Sequence, residues 1–153
     1  MMSVHRAVVR GGLVVGTLDI LDAFIFFGVR AGVKPQRILH SIAAGVLGRE
    51  KAIAGGWATA ALGLLLHFVI ATTIVAVFVF ASRRMGWLVR APFLTGPLYG
   101  VAVWCAMNFV VLPLSAAGAP VFRTPVLING LLIHMFGVGL PTALFARAAV
   151  RRQ

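Results

Sequence analysis

The chain has 153 residues, 61% of them hydrophobic and only 11% charged, with a net charge of +11 and a mean hydropathy of +1.02. So few charges cannot coat a water-soluble fold of this size. The Arg and Lys residues fall between long apolar runs rather than along a stripe, which points to membrane flanks and anionic lipid headgroups and away from nucleic acid.

Residues 1–10 are short and basic. Residues 11–29 follow, 19 positions without Lys or Arg, broken only by Asp19 and Asp22. A cleaved signal peptide is the competing reading, and it fails because the two acids split the apolar region and no small-x-small site follows. We read a first membrane helix, the least hydrophobic of the set.

After Pro35, a favoured first helical residue, Ile38, Leu39, Ile42, Val46 and Leu47 recur at helical spacing. Gln36, Arg37, His40 and Ser41 fill the opposite face, and Gly48 marks a stop. A helix over residues 35–47 is too short to cross a bilayer. It is expected to lie on the membrane surface as an amphipathic interfacial helix, with its apolar set towards acyl chains and Arg37 and His40 wet.

Residues 52–82 contain no Asp, Glu, Lys or Arg over 31 positions. About 20 apolar residues suffice to cross a ~30 Å hydrocarbon core. A second span fits residues 57–80, with Trp57 near one interface, Arg83 and Arg84 at the other, and His67 near the middle. A short basic turn holds Arg83, Arg84 and Arg90, and residues 91–122 then run 32 positions without a charge. Pro113 and the small residues 115–118 end a third span over 92–113, with a loop at Ala119-Pro120. The fourth span covers 124–146, with Pro141 bending its last part, before Arg147, Arg151 and Arg152. The single cysteine, Cys105, lies inside an apolar run, so it reads as a small buried hydrophobe and excludes a disulfide framework or a Cys-pair metal site.

The fold class is therefore an all-α integral membrane protein of one domain. Four transmembrane helices form two hairpins, with one amphipathic interfacial helix between the first and second. The N-terminus, second loop and C-terminus hold 8 basic residues against 6 in the first and third loops, which places both termini in the cytoplasm. A faint repeat supports the hairpins. Residues 63–68 and 130–135 agree at four of six positions, and the helix before each begins with a GxxxG, Gly12 to Gly16 and Gly96 to Gly100.

Small residues mark the faces on which membrane helices meet. Gly12, Gly16, Asp19 and Ala23 form one stripe; Gly63, His67 and Ala71 form another; Gly130, His134, Gly137 and Pro141 form a third. Asp19, Asp22, His67 and His134 thus share roughly one depth inside the membrane, with Asn108 about a turn away. Lone charges at that depth are costly, so such residues find partners or stay neutral.

Three readings compete for this layer. Asp and His can act as hydrogen-bonded glue between helices, an Asp–His pair can exchange a proton near neutral pH, or His67 and His134 can hold haem b between facing helices. A metal site of two histidines and a carboxylate has no HxxxH or ExxH pair behind it. Nucleophilic catalysis lacks support, since Ser41, Ser82 and Ser115 are expected at loops or the interface, away from both histidines.

The runs Gly16-Thr17-Leu18-Asp19, Pro35-Gln36-Arg37-Ile38-Leu39, Gly45-Val46-Leu47-Gly48 and Leu66-His67-Phe68, with Tyr99-Gly100, residues 107–114 and His134-Met135, together resemble a group of small bacterial inner-membrane proteins related to the YagU-like proteins. The resemblance implies four spans and a bacterial inner membrane, and carries no activity or site assignment. The expected role is that of a non-enzymatic accessory or interaction protein without a cofactor. Its expected partners are the lipid bilayer and a second copy or another membrane protein. The alternative is a small proton or ion transport module, or a haem-binding redox module, built on the Asp/His layer.

Overall fold

The computed structural model describes residues 2–118 and 123–150. The loop expected at Ala119-Pro120 and the closing arginines Arg151 and Arg152 lie outside the described residues. Every element among those described is helical: α1 (Val4–Ala31), α2 (Pro35–Leu47), α3 (Arg49–Ala54), α4 (Gly56–Arg84), α5 (Pro92–Leu114) and α6 (Thr124–Val150), with a 3-10 turn at Gly86–Val89. Of these, α1, α4, α5 and α6 are long and apolar enough to cross a membrane.

Helix ends follow local chemistry rather than hydropathy. The first helix starts seven residues before the apolar run, because Ser3 caps it by accepting the Arg6 N–H at 3.3 Å. It stops at Gly32, whose φ of 61° is left-handed and whose N–H reaches back to the Gly28 carbonyl. Hydropathy reports the part of a helix that suits lipid; the caps report where the backbone ladder ends.

The two GxxxG pairs are where helices cross. A Cβ added at Gly12 would lie 2.8 Å from the Thr72 Cα, and one at Gly16 would lie 2.7 Å from the Phe68 ring, so α1 and α4 touch through these bare positions. On the other side, a Cβ added at Gly96 would lie 2.7 Å from the Leu140 Cα, and one added at Gly100 would run into the His134 carbonyl. Tyr99 links α5 to α4 by donating its hydroxyl to the Ile74 carbonyl at 2.7 Å. Val15, Val75, Val79, Val103, Val138, Ala143 and Ala146 close the core between all four long helices.

Both later spans contain a wider turn. Met107–Val111 in α5 and His134–Gly139 in α6 are π-helical. Each is followed by Leu-Pro, and the leucine N–H skips one carbonyl: Leu112 bonds Met107, and Leu140 bonds Met135. Pro113 and Pro141 have no N–H for the carbonyl four residues back and would crowd it; the wider turn relieves both faults. The bend expected at Pro141 thus takes the form of a π segment just before it. Residues 107–113 and 135–141 share Met-x-x-Val-x-Leu-Pro, a likeness that counting charges and glycines passed over.

The helix α2 has the bounds expected of it but a different placement for one face. Gly63 of α4 lies against the Leu39 carbonyl, so the two backbones meet there. Ile38 and Leu39 pack with Ile20 and Ala60 rather than facing outward, while Val46 stays exposed. His40, expected to be wet, is buried and donates Nε2–H to the Gly56 carbonyl at 2.7 Å. The amphipathic pattern marks two faces; the glycine gap on α4 decided which residues of α2 pack inward. At its far end α2 is held to the chain after α5, where the Ala116 N–H donates to the Gly45 carbonyl at 2.9 Å.

Candidate functional site

A cavity of about 310 Å³ opens inside the bundle. Asp19 of α1, Ser41 of α2, His67 of α4, Asn108 and Trp104 of α5, and His134 of α6 all line it. Four of the five residues singled out by depth and stripe therefore surround one space. The fifth, Asp22, lies off the cavity and accepts a hydrogen bond from Asn129 Nδ2 at 2.7 Å.

Glycine carbonyls orient the histidines. His67 donates Nε2–H to the Gly16 carbonyl at 2.8 Å, across the α1–α4 crossing. The same glycine that lets Phe68 approach also exposes its own carbonyl to the neighbouring ring. His134, first residue of the α6 π segment, donates Nδ1–H to the Gly130 carbonyl at 2.9 Å. A carbonyl only accepts, so each bond settles which nitrogen carries a hydrogen. His67 keeps Nδ1 for the cavity side, and His134 keeps Nε2.

The Nδ1 of His67 stands 4.0 Å from Asp19 Oδ2, and the Asp19 side chain is 28% exposed. With no hydrogen on either atom, two acceptors would face each other. A single proton on the imidazole or on the carboxyl makes the contact attractive. At 4.0 Å the contact is longer than a direct hydrogen bond, and the cavity has room for bridging waters, which need roughly 30 Å³ each.

Asn108 sits in the α5 π segment and donates Nδ2–H to the Trp104 carbonyl at 2.9 Å. The Trp104 ring fills the space over Gly130, where an added Cβ would lie 2.8 Å from Nε1. Both π segments therefore deliver a polar side chain, Asn108 and His134, to the same cavity.

Three residues of this layer were missed by sequence reading. Ser41, expected at the surface away from the histidines, lines the cavity with both, although its hydroxyl donates to the Ile38 carbonyl at 2.6 Å and to neither of them. Ser82, by contrast, is buried near the C-terminal end of α4, donating to the Val79 carbonyl, and does not line the cavity, in keeping with its expected distance from the histidines. Asn129 was overlooked because only charges were counted along the fourth span; an amide inside an apolar run was the available signal. Trp104 carried none.

Haem does not suit the arrangement. The His67 nitrogen that remains is Nδ1, which adjoins the ring carbon bearing Cβ, so a porphyrin plane approaching it meets the side chain's own stem and Asp19. Among the described residues, no three His, Cys, Asp or Glu side chains are grouped to hold a metal ion. No family model, curated protein or solved structure matches this chain.

Proposed function

We propose that this chain is a small, non-enzymatic proton-handling protein of a bacterial inner membrane, with Asp19 and His67 holding the transferred proton. The observation that carries the reading is the fixed His67 ring: its Nε2–H is committed to Gly16, and its Nδ1 faces a carboxylate across 4.0 Å in a cavity. A pair meant only as glue needs a short, closed bond, and this contact is 4.0 Å long at a cavity wall. His134 and Asn108 extend the polar lining towards α5 and α6.

The wider arrangement we propose is two hairpins, α1 with α4 and α5 with α6, and α2 as an amphipathic helix at the interface on the far side from the termini. The basic count of 8 against 6 supports cytoplasmic termini. Six of the basic residues, Arg30, Lys34, Arg37, Arg49, Lys51 and Arg123, would then meet anionic headgroups on the opposite face. Of the two acids in α1, it is Asp22 for which a role as helix glue is favoured, through its short bond with Asn129.

Proton flux into liposomes tests the reading. Purified protein is reconstituted around an entrapped pH dye, and a potassium diffusion potential drives uptake. We expect acidification that falls roughly tenfold or more in Asp19→Asn and in His67→Gln, a barrier increase of at least ~1.4 kcal/mol. The glutamine retains an N–H for the Gly16 carbonyl, so the variant keeps its crossing. Wild-type flux no greater than that of empty liposomes, or full flux in both variants, overturns the proposal.

A further inference from the structure

A second pocket, of about 400 Å³, lies on the other side of α2, and Ser41 is the residue it shares with the inner cavity. Its walls include Arg37 at the start of α2, Arg49 at the start of α3, His40, and the apolar Val33 and Ile53. Gly48, with φ of 77°, adopts a backbone conformation that L side chains rarely take and turns the chain from α2 into α3, so that Arg49 joins Arg37 at one pocket. Neither guanidinium has a carboxylate within ion-pair distance among the described residues.

His40 adds an independent observation. It is 5% exposed, and its Nε2–H is committed to the Gly56 carbonyl. Its Nδ1 is the one buried side-chain nitrogen or oxygen among the described residues that lacks a hydrogen-bond partner. A buried polar atom left so is costly, and native folds satisfy nearly all of them. His40 also lines the pocket, so a group bound there is placed beside the ring whose nitrogen lacks a partner.

We propose that this pocket binds the phosphate group of an organic phosphate ester. Arg37 and Arg49 supply planar donor forks suited to a phosphate, and His40 Nδ1, which has no hydrogen while Nε2–H is given to Gly56, accepts from the P–OH of a singly protonated ester. The Ser41 hydroxyl is already spent on Ile38 and shapes the wall. The volume exceeds what a bare phosphate needs, and Val33 and Ile53 give an organic substituent an apolar surface. The ester has two sources, a lipid headgroup or a soluble metabolite. The site stands apart from the Asp19–His67 pair and does not depend on proton transfer there.

Calorimetric titration of the full chain in a phosphate-free maltoside detergent tests it, using inorganic phosphate, glycerol phosphate and dihexanoyl phosphatidic acid as probes. We expect saturable binding of at least one ester, weakened about tenfold or more by Arg37→Gln, Arg49→Gln or His40→Gln. His40→Gln keeps an N–H for the Gly56 carbonyl and is expected to melt with the wild type. Should it fail to fold, the two arginine variants carry the test. Saturation by glycerol phosphate supports the site with a soluble ester; saturation by phosphatidic acid alone supports it with a lipid headgroup. Absence of saturable binding by every probe, binding of inorganic phosphate alone, or affinities unchanged in the variants that fold overturns it.

Discussion

Asp19 and Asp22 leave α1 less than a turn apart, and their surroundings treat them differently. Asp22 meets an amide: Asn129 reaches it from α6 with a hydrogen of its own, 2.7 Å away, and the pair closes. Asp19 meets an imidazole whose hydrogen is already given to Gly16, so the facing Nδ1 has none to offer unless a further proton is bound. One acid is a strut between helices and the other borders a cavity of about 310 Å³. The lesson is that a carboxylate inside a membrane takes its role from the opposing donor, because an amide always carries its hydrogens and an imidazole nitrogen carries one only when protonated or in the right tautomer.

The largest expected effect strikes both sides of that comparison together. Asn129 and His134 ride on α6, which crosses α5 at Gly100 against the His134 carbonyl. Gly100→Val is expected to lower stability by about 3 kcal/mol, at the upper end of overpacking costs, because backbone rather than a flexible side chain blocks the new atoms. Gly86→Ala, at a glycine with nothing within 4 Å, is expected to stay within about 0.5 kcal/mol of wild type. Unfolding in mixed micelles compares the two; equal losses would mean that the crossing is looser than described.

A smaller effect separates the two acids. In a double-mutant cycle, Asp22→Ala and Asn129→Ala should couple by about 0.6–1.7 kcal/mol, the range for hydrogen bonds between membrane helices. Additive losses would dissolve the strut.

The smallest effect belongs to the other acid. Asp19→Ala and His67→Ala should couple by less than about 0.5 kcal/mol in stability, since water in the cavity can replace either partner across 4.0 Å. A coupling as large as that of Asp22 with Asn129 would make Asp19 a strut as well and remove the ground for the difference in function.

Much of the architecture was legible in the residues. Charge-free runs at 52–82, 91–122 and 124–146 locate three spans, since a bilayer core demands a set length of apolar helix. Pro35 and Gly48 bracket α2, because each restricts the backbone at its own position whatever surrounds it. The two GxxxG pairs mark crossings, and the mid-span depth of Asp19, His67 and His134, with Asn108 about a turn away, follows from counting residues at ~1.5 Å each. All of these are properties of a single helix.

What the tertiary structure decided concerns partners. His67, His40 and His134 are held by carbonyls of Gly16, Gly56 and Gly130. Every residue carries a carbonyl, so no side-chain pattern announces which one a ring will find. The burial of His40 turned on the gap at Gly63, where α2 could settle against α4. Asp22 and Asp19 were alike in the sequence because period and depth describe one helix at a time. Their difference lies in which face of α4 or α6 arrives opposite, and that is set by how four helices pack at once.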